Sequence, residues 1–505
     1  MRFRFAVAAA LSVLSAAPAH AEWLRAATRH FVIYSDTNPA GVTELATRLE
    51  TVDAAMRYVS NIPDTPEAAA NPVTVYVLDD VRAVEKLVGQ SNVAGFYVPR
   101  ADGVVAFTPR RGAGDGLTAL NPQIVLFHEY AHHFLYGNSR IAYPTWFSEG
   151  YAEFVSTAKI EKDTVLIGGG ANHRAYGLYA TDALPLANLF APRAKGGDMQ
   201  QEQIYSRGWL LTHFTMLNPQ RRTQLNAYLA ALNDGVAPLK AATDAFGDLK
   251  QLDRELDQYL RRRMLPGFGV PRAKLPAIKV DVRPLTPGER ALVEMRMVST
   301  RGVDAKTAGP LYARALKAVA PYPGDPVAQG WLAEMAYDAG RDDEAEAAAD
   351  RALAADPKSG QALLYKARVH LRRAATAGAT DPKVWAEARS WIVKANRADP
   401  NSAAALQLFY RSFRMADAKP SASAVAGVHR ALELAPQDSG LRFASARQHL
   451  ADGKLDEAKR TLRPLAFSPH APADNPAAKL LAAIEAGQAG PAALAAVETP
   501  AEDAD

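Results

Sequence analysis

Two histidines four positions apart in an apolar stretch constrain this 505-residue chain more than any other feature. The stretch reads N-P-Q-I-V-L-F-H-E-Y-A-H-H-F-L-Y-G and runs from Asn121 to Gly137. Asn121 can cap a helix, Pro122 suits a first turn and Gly137 suits an end, so the pattern predicts one helix. Residues four apart in a helix lie one above the other, so His128 and His132 can bind one metal ion.

The residues around this pair favour a metal site over two surface histidines. Glu129 follows the first histidine and could take a proton from a water bound to the metal. Ile-Val-Leu-Phe precedes the pair, which favours a buried helix, where unpaired polar groups are costly. His133 is rotated away, and we expect it to be packed or hydrogen-bonded. The chain has no cysteine, so histidines and carboxylates must supply the ligands.

A second helix, predicted from Thr145 to Ala158, begins with the segment T-W-F-S-E-G-Y-A-E-F. Its Glu149 and Glu153 are four apart and lie among aromatic residues, which is typical of a buried site. Glu149 can supply a third, oxygen ligand. Glu153, one turn farther along, can accept the free N–H of a liganding histidine. The alternative for Glu153 is an ordinary ion pair with a surface lysine or arginine.

The two motifs, H-E-Y-A-H and W-F-S-E-G-Y-A-E-F, together resemble those of the gluzincin zinc metallopeptidases, and specifically the peptidase-MA-like group. The second motif is also similar to Trp-Leu-x-Glu-Gly-Phe-Ala of the aminopeptidase N family. The resemblance covers about Trp23 to Arg263. It implies an α+β zincin-like catalytic domain, Zn2+ held by His128, His132 and Glu149, and Glu129 as general base.

The chain departs from the aminopeptidases, because no Gly-x-Met-Glu-Asn motif precedes the metal helix. An endopeptidase is therefore the expectation. In such folds the strand before the metal helix holds the substrate backbone, which nominates G-V-V-A-F-T-P, Gly103 to Pro109. Peptide hydrolysis also needs a donor to the oxyanion. Tyr205, in Q-I-Y-S-R-G-W-L-L-T-H-F, resembles the tyrosine of related families, and His173 and His213 compete for that role.

The residues before the metal helix have the pattern of a β-rich α+β unit, which we place at residues 22–263. Alternating or continuous apolar runs predict strands at His30 to Asp36 and at Pro72 to Asp80. Val42 to Val59 has helical spacing between them. Two further extended runs bracket the turn residues Ala101 to Gly103, which predicts a hairpin.

The C-terminal half has a different composition. Residues 264–289 are rich in proline and glycine and are interpreted as a linker. Residues 290–485 repeat a Gly turn, Asp-Glu-Ala and an amphipathic helix that ends near proline, most plainly at Gly340 to Pro357 and Gly453 to Pro469. They resemble tetratricopeptide repeats, which implies an all-α helical-repeat domain with a concave binding surface. The acidic end of residues 486–505 predicts a disordered tail.

The first 21 residues have the pattern of a signal peptide. Arg2 and Arg4 precede an apolar run that ends in A-H-A, so cleavage is expected after Ala21. The alternative, a membrane anchor, needs about 20 apolar residues, and this run is shorter and contains Pro18. No later segment has the apolar length of a span, so we expect a periplasmic or secreted protein without a membrane span after cleavage.

The charge pattern gives no reason to expect nucleic acid. The net charge is +4, but basic residues are interleaved with acidic ones. The triplet Arg261 to Arg263 fits a solvated helix end. We therefore expect an exported zinc endopeptidase acting on proteins or peptides, with the repeats recruiting substrate or a protein partner. The alternative is a non-catalytic repeat scaffold that uses a zincin-like domain for binding.

Overall fold

The computed structural model describes residues 22–495 except 92, 113–120, 192–197, 469–471, 473 and 489. The predicted signal peptide, 1–21, lies outside the described residues, as does 496–505 of the tail. The described chain is mostly helical, with a small mixed sheet in its N-terminal half.

Nine strands form two sheets in the described residues, and the larger has the order β4-β5-β3-β2-β1-β9. Strands β2, β3 and β5 are parallel to one another, whereas β1, β4 and β9 run antiparallel to their neighbours. The predicted strands and the predicted hairpin are confirmed. The strands are β1 (Leu24–Ala27), β2 (Phe31–Ser35), β3 (Val73–Asp80), β4 (Phe96–Val98), β5 (Val105–Arg111), β6 (Lys159–Ile160), β7 (Thr164–Ile167), β8 (Phe268–Pro271) and β9 (Asp281–Pro284).

Helices pack against one face of the larger sheet and share one hydrophobic core with it. Asn38 caps the first helix through a bond from the N–H of Gly41 to its side chain, and proline follows at the first turn. The predicted helix at Val42 to Val59 is confirmed with slightly wider bounds. The helices of the N-terminal half are α1 (Pro39–Ser60), α2 (Val81–Val88), α3 (Pro122–Gly137), α4 (Thr145–Ser156), α5 (Ala175–Tyr179), α6 (Leu186–Phe190), α7 (Asp198–Leu217), α8 (Pro219–Asn233), α9 (Pro238–Phe246) and α10 (Leu249–Leu260). Of these, α2 packs toward the repeats, through Leu87 and helix α11 (Pro287–Arg301).

The C-terminal half is a succession of antiparallel helix pairs, which confirms a helical-repeat region. Gly340 and Gly453 sit at positive φ, +71° and +72°, in the turns where the repeat pattern placed them. Fully buried alanines such as Ala345 and Ala458 allow the paired helices to approach. The helices are α11 (Pro287–Arg301), α12 (Ala308–Val319), α13 (Pro326–Asp338), α14 (Asp342–Ala355), α15 (Gly360–Thr376), α16 (Pro382–Ala398), α17 (Ala403–Met415), α18 (Ala422–Leu434), α19 (Ser439–Ala451), α20 (Leu455–Ala466), α21 (Pro476–Glu485) and α22 (Pro491–Ala495).

Two segments have more structure than the sequence indicated. The segment 264–289, interpreted as a linker, supplies β8 to the smaller sheet and β9 to the larger one. These short runs can form strands because they add to the edges of sheets that other strands and helices already support. Helix α22 lies within the predicted disordered tail, and Ala493 is buried against the preceding repeat.

The inner helices of the first repeats cover the second face of the sheet. Side chains alternate along a strand, so Ile33 and Val75 face α1 while Tyr34 and Tyr76 face the repeats. Tyr34 stacks on Tyr76 at a ring-centroid distance of 5.1 Å and meets the edge of Trp331 from α13 at 6.2 Å. Helices α11, α13 and α15 contribute to the same cluster. The repeats and the sheet are therefore packed as one unit.

A buried histidine ties α1 to the chain before it. The backbone N–H of His30 donates to Glu50 Oε1 at 2.6 Å, and His30 Nδ1 lies 2.9 Å from Glu50 Oε2. Its Nε2 lies 3.2 Å from Asp64 Oδ1. Burial lowers the pKa of His30, but the bond to Glu50 and the charges of Asp53 and Glu50 outweigh it, so the pKa is raised. The imidazolium form is therefore stabilised by folding.

Replacing His30 by Gln should lower the free energy of unfolding by about 3 kcal/mol, because Glu50 loses its buried partner. A raised folded pKa gives stability that is complete below the unfolded pKa and is lost as pH rises through the folded pKa. The deficit of His30→Gln should therefore be larger at about pH 6 than at about pH 9. Denaturant unfolding of both proteins measures it, and an equal deficit at both pH values would contradict the ion pair.

Candidate metal centre

Helices α3 and α4 bring three predicted ligands together. The side chain of Asn121 accepts from the N–H of Gln123, so α3 begins where the cap and proline indicated. His128 Nε2 lies 3.2 Å from His132 Nε2 and 3.4 Å from Glu149 Oε2, and the third edge, His132 to Glu149, is 3.5 Å. Ligands of tetrahedral zinc bound at about 2.0–2.1 Å are roughly 3.3–3.4 Å apart. The triangle has the dimensions of a zinc site.

Carboxylates dominate the electrostatics of this triangle. The side chain of Glu149 is 1% exposed, whereas those of His128 and His132 are 14% and 11% exposed, so the imidazoles border the opening. Burial lowers the pKa of His128, but hydrogen bonds with Glu149 and Glu153 raise it further, to about 10. The two carboxylates beside His128 therefore favour a bound cation, whether a proton or a metal ion.

Glu153 lies behind the first histidine, where the sequence predicted it. Its Oε1 is 3.1 Å from His128 Nδ1 and accepts from Arg174 Nη2 at 2.6 Å, while its Oε2 bonds to His173. Burial raises the pKa of Glu153, but the bonds with both histidines and the charge of Arg174 hold it well below its usual range. An anionic Glu153 orients the His128 ring so that Nε2 faces the triangle.

The second histidine is oriented by residues that sequence reasoning missed. His132 Nδ1 lies 3.3 Å from Ser148 Oγ, and Ser148 Oγ lies 2.7 Å from the hydroxyl of Tyr136. Ser148 directly precedes Glu149 in the second motif, and Tyr136 is one turn beyond His132 on α3. The positions of Ser148 beside Glu149 and of Tyr136 four residues after His132 could therefore have identified both residues from the sequence. Arg174 was missed too, and it follows the Gly-rich loop in a short 3-10 turn, Asn172–Arg174.

Glu129, the predicted general base, lies on α3 close to the chain that enters the edge strand β4. A Cβ built on Gly95 would be 2.5 Å from Val125 Cγ1 and 3.9 Å from Glu129 Cγ, so a larger residue at position 95 would require Val125 to shift. Just beyond Gly95, the hydroxyl of Tyr97 in β4 lies 2.7 Å from His133 Nδ1. Burial lowers the pKa of His133 to about 3. His133 is thus hydrogen-bonded, as expected.

The strand nominated to hold a substrate was the wrong one. Gly103 to Pro109 falls largely in β5, which pairs with β3 on one side and with β4 on the other. The hairpin folds β4 back over β5 and makes β4 (Phe96–Val98) the edge of the sheet. Among the described residues, the strand beside Glu129 that pairs on one side only is therefore β4.

Tyr205, on α7, lies beside the triangle of predicted ligands. Its ring stacks on His128 at a centroid distance of 6.0 Å, and Arg174 Cζ lies 4.7 Å from the ring centre. Glycines set this position, because a Cβ on Gly150 of α4 would be 2.4 Å from the carbonyl oxygen of Gly208 of α7. Two helices that meet through glycines approach closely, which brings Tyr205 to the site.

The two histidines that competed with Tyr205 are engaged elsewhere. His213 is fully buried, with Nε2 3.0 Å from the carbonyl oxygen of Gly168 and Nδ1 2.9 Å from the hydroxyl of Tyr259. Burial lowers its pKa to about 4. His173 bonds to Glu153, as described above. Of the three candidates, Tyr205 is the one whose ring packs on a predicted ligand.

A second group with ligand-type side chains, His30, Glu50 and Asp53, lies within the described residues. Its atoms are already used by internal bonds. Arg57 Nε donates to Asp53 Oδ2 at 2.8 Å, and Tyr130 donates its hydroxyl to Asp53 Oδ1 at 2.6 Å. The adjacent guanidinium also repels a cation. This group stabilises the fold, and the His128 triangle is the better metal candidate.

Comparisons with known proteins give no family for the chain. No protein-family model matches it, and no curated protein does. A solved structure that aligns with part of it is a thermophilic tetratricopeptide-repeat (TPR) protein of Thermus thermophilus, at 20% identity. The alignment covers 36% of this chain and 92% of that chain, with a TM-score of 0.30. Within the described residues, no helix combines the length and apolar character that a membrane crossing requires.

The variant Glu153→Gln should bind zinc about 10- to 100-fold more weakly, because the neutral amide no longer fixes the charge and orientation of His128. Glu202→Gln is the matched control, since Glu202 accepts from the same arginine, Arg174 Nη1 at 3.3 Å, without touching a predicted ligand. Competition with a chromophoric chelator measures both affinities. Equal affinities for Glu153→Gln and wild type would remove Glu153 from the site.

Proposed function

We propose that this chain is a zinc-dependent metallopeptidase of the gluzincin type, with a zincin-like N-terminal domain. The observation that carries the proposal is the triangle of His128, His132 and Glu149, with edges of 3.2, 3.4 and 3.5 Å. Glu129 directly follows the first of these residues on α3. Glu153 and Ser148 support the two imidazoles from behind.

In this proposal His128, His132 and Glu149 hold the zinc ion, which when bound supplies a Lewis acid and an acidified water. Glu129 would act as general base, taking a proton from the attacking water at its carboxylate and returning it to the leaving amine. Tyr205 donates a hydrogen bond to the oxyanion, because its ring lies beside His128. Burial raises the pKa of Tyr205 far above its usual value, which keeps the hydroxyl protonated as a donor.

The substrate class we propose is an extended segment of a protein or peptide, cut internally. Within the described residues β4 pairs on one side only, so its other side offers backbone groups to such a segment. Gly95, which directly precedes β4, lies close to the side chain of Glu129. The absence of an exopeptidase motif before α3 supports endopeptidase action. The export pattern of residues 1–21 supports a periplasmic or secreted location.

Hydrolysis of an unfolded protein by wild type and Glu129→Gln, with zinc content measured on both, tests the proposal. Loss of the general base should slow cleavage about 10²- to 10⁴-fold, while one zinc per chain remains. Glu44→Gln, at an exposed site on α1, is the control and should cleave like wild type.

If wild type binds zinc but cleaves nothing, the proposal fails in favour of a non-catalytic scaffold whose zincin-like domain only binds. If wild type binds no zinc, the metal site itself fails.

A further inference from the structure

The turn of the β4–β5 hairpin is inserted into the repeats. Ala101, at this turn, is 7% exposed and belongs to a hydrophobic cluster made mainly by repeat helices α17 to α19, with Ala70 packed against it. Its backbone N–H donates to Asp438 Oδ2 at 2.7 Å, across 337 positions of sequence. Hairpin turns are usually exposed to solvent. The turn of this hairpin is instead buried against the repeat helices, in the way that a bound peptide would be.

One carboxylate both holds the turn and starts a repeat helix. Asp438 is the N-cap of α19, and its Oδ1 accepts from the N–H of Leu441 at 2.6 Å. Its Oδ2 is the acceptor for Ala101. The two oxygens of Asp438 therefore serve two different parts of the protein.

Further contacts hold the rest of the turn. Asp102 Oδ2 lies 3.4 Å from Arg368 Nη2 on α15, and the guanidinium of Arg368 lies 5.2 Å from the ring centre of Tyr365. Gly103, with φ of +147°, closes the turn in a conformation that L side chains rarely adopt. Two helices that lie far apart in the repeat sequence, α15 and α19, therefore both hold the turn.

The other end of the hairpin touches the candidate site. Strand β4 pairs with β5 over three residue pairs, so it is short for a strand that must keep its place. Beyond it, Gly95 approaches Glu129, and Tyr97 bonds to His133 on α3. Any loosening of the turn therefore changes the position of β4 relative to Glu129.

We infer that the repeats position the edge strand β4 over the candidate active site by holding the hairpin turn, with Asp438 as the positioning residue. The inference rests on the proposed function in that β4 is where the substrate pairs. The surface of α15 and of α17 to α19 that contacts the turn thereby binds the protein's own hairpin. A substrate that pairs with β4 binds a strand whose place is set from the repeat domain.

The test is Asp438→Asn in the full chain. Asparagine caps helices about as well as aspartate, so α19 is kept. Its NH2 group replaces one of the two oxygens, so with Oδ1 kept on the N–H of Leu441 the N–H of Ala101 faces a donor in place of an acceptor. Asp381→Asn is the matched control, because Asp381 caps α16 by accepting from the N–H of Lys383 at 2.9 Å. That helix end makes no part of the hairpin contact.

In Asp438→Asn, the amides of residues 96–98 and 105–107 should exchange with deuterium about tenfold faster, because a bond to a charged acceptor is lost. Zinc content should stay at the wild-type level. For an unfolded substrate, KM should rise about tenfold with kcat little changed, since ground-state and transition-state binding through β4 fall together. Asp381→Asn should match wild type in all three measurements.

Wild-type exchange in the hairpin of Asp438→Asn would overturn the positioning role, whatever the activity. Faster exchange with an unchanged KM would show that the held strand does not receive substrate, and it would overturn the inference as well. If wild type cleaves nothing, the proposed function fails separately. The exchange data then still decide whether the repeats hold β4.

Discussion

The three parallel strands at the centre of the larger sheet are apolar on both faces, and this constraint organises the whole protein. Phe31 and Ile33 need cover on one side, while Tyr34, Tyr76 and Phe107 need it on the other. Parallel strands of this kind are stable when both faces are buried. Helices α1, α3 and α4 cover the first face, and the repeats cover the second. The repeats are therefore part of the fold that supports the candidate site.

The candidate metal centre combines an electrostatic cost with the groups that relieve it. Two carboxylates, Glu149 and Glu153, are nearly fully buried within reach of His128. Arg174 neutralises Glu153 and His173 hydrogen-bonds to it, whereas the triangle of ligand atoms faces a partly open side. A buried charge that has no compensating partner lowers the free energy of unfolding. The arrangement is consistent with a cation at the triangle and with a polar second layer that keeps the ligands in place.

The sequence was most informative where local patterns decide structure. The Asn121 cap and Pro122 predicted the start of α3, and the four-residue spacings in α3 and α4 predicted which side chains share a face. It was less informative where distant segments meet. Nothing near Ala101 indicated that Asp438 would bind it. Gly103 to Pro109 was nominated to hold substrate because it precedes the helix with the two histidines, and apolar runs do not show that this strand is paired on both sides. Ser148 was visible in the motif, but its role depends on Tyr136 and His132 arriving at the same place.

The central claim is that His128, His132 and Glu149 form a zinc site. Crystals of the full chain grown with zinc, measured on both sides of the zinc absorption edge, test it most directly. The claim predicts one strong anomalous peak about 2.0–2.1 Å from His128 Nε2, His132 Nε2 and a Glu149 oxygen. No peak at this triangle, or a peak at His30, Glu50 and Asp53 in its place, would contradict it.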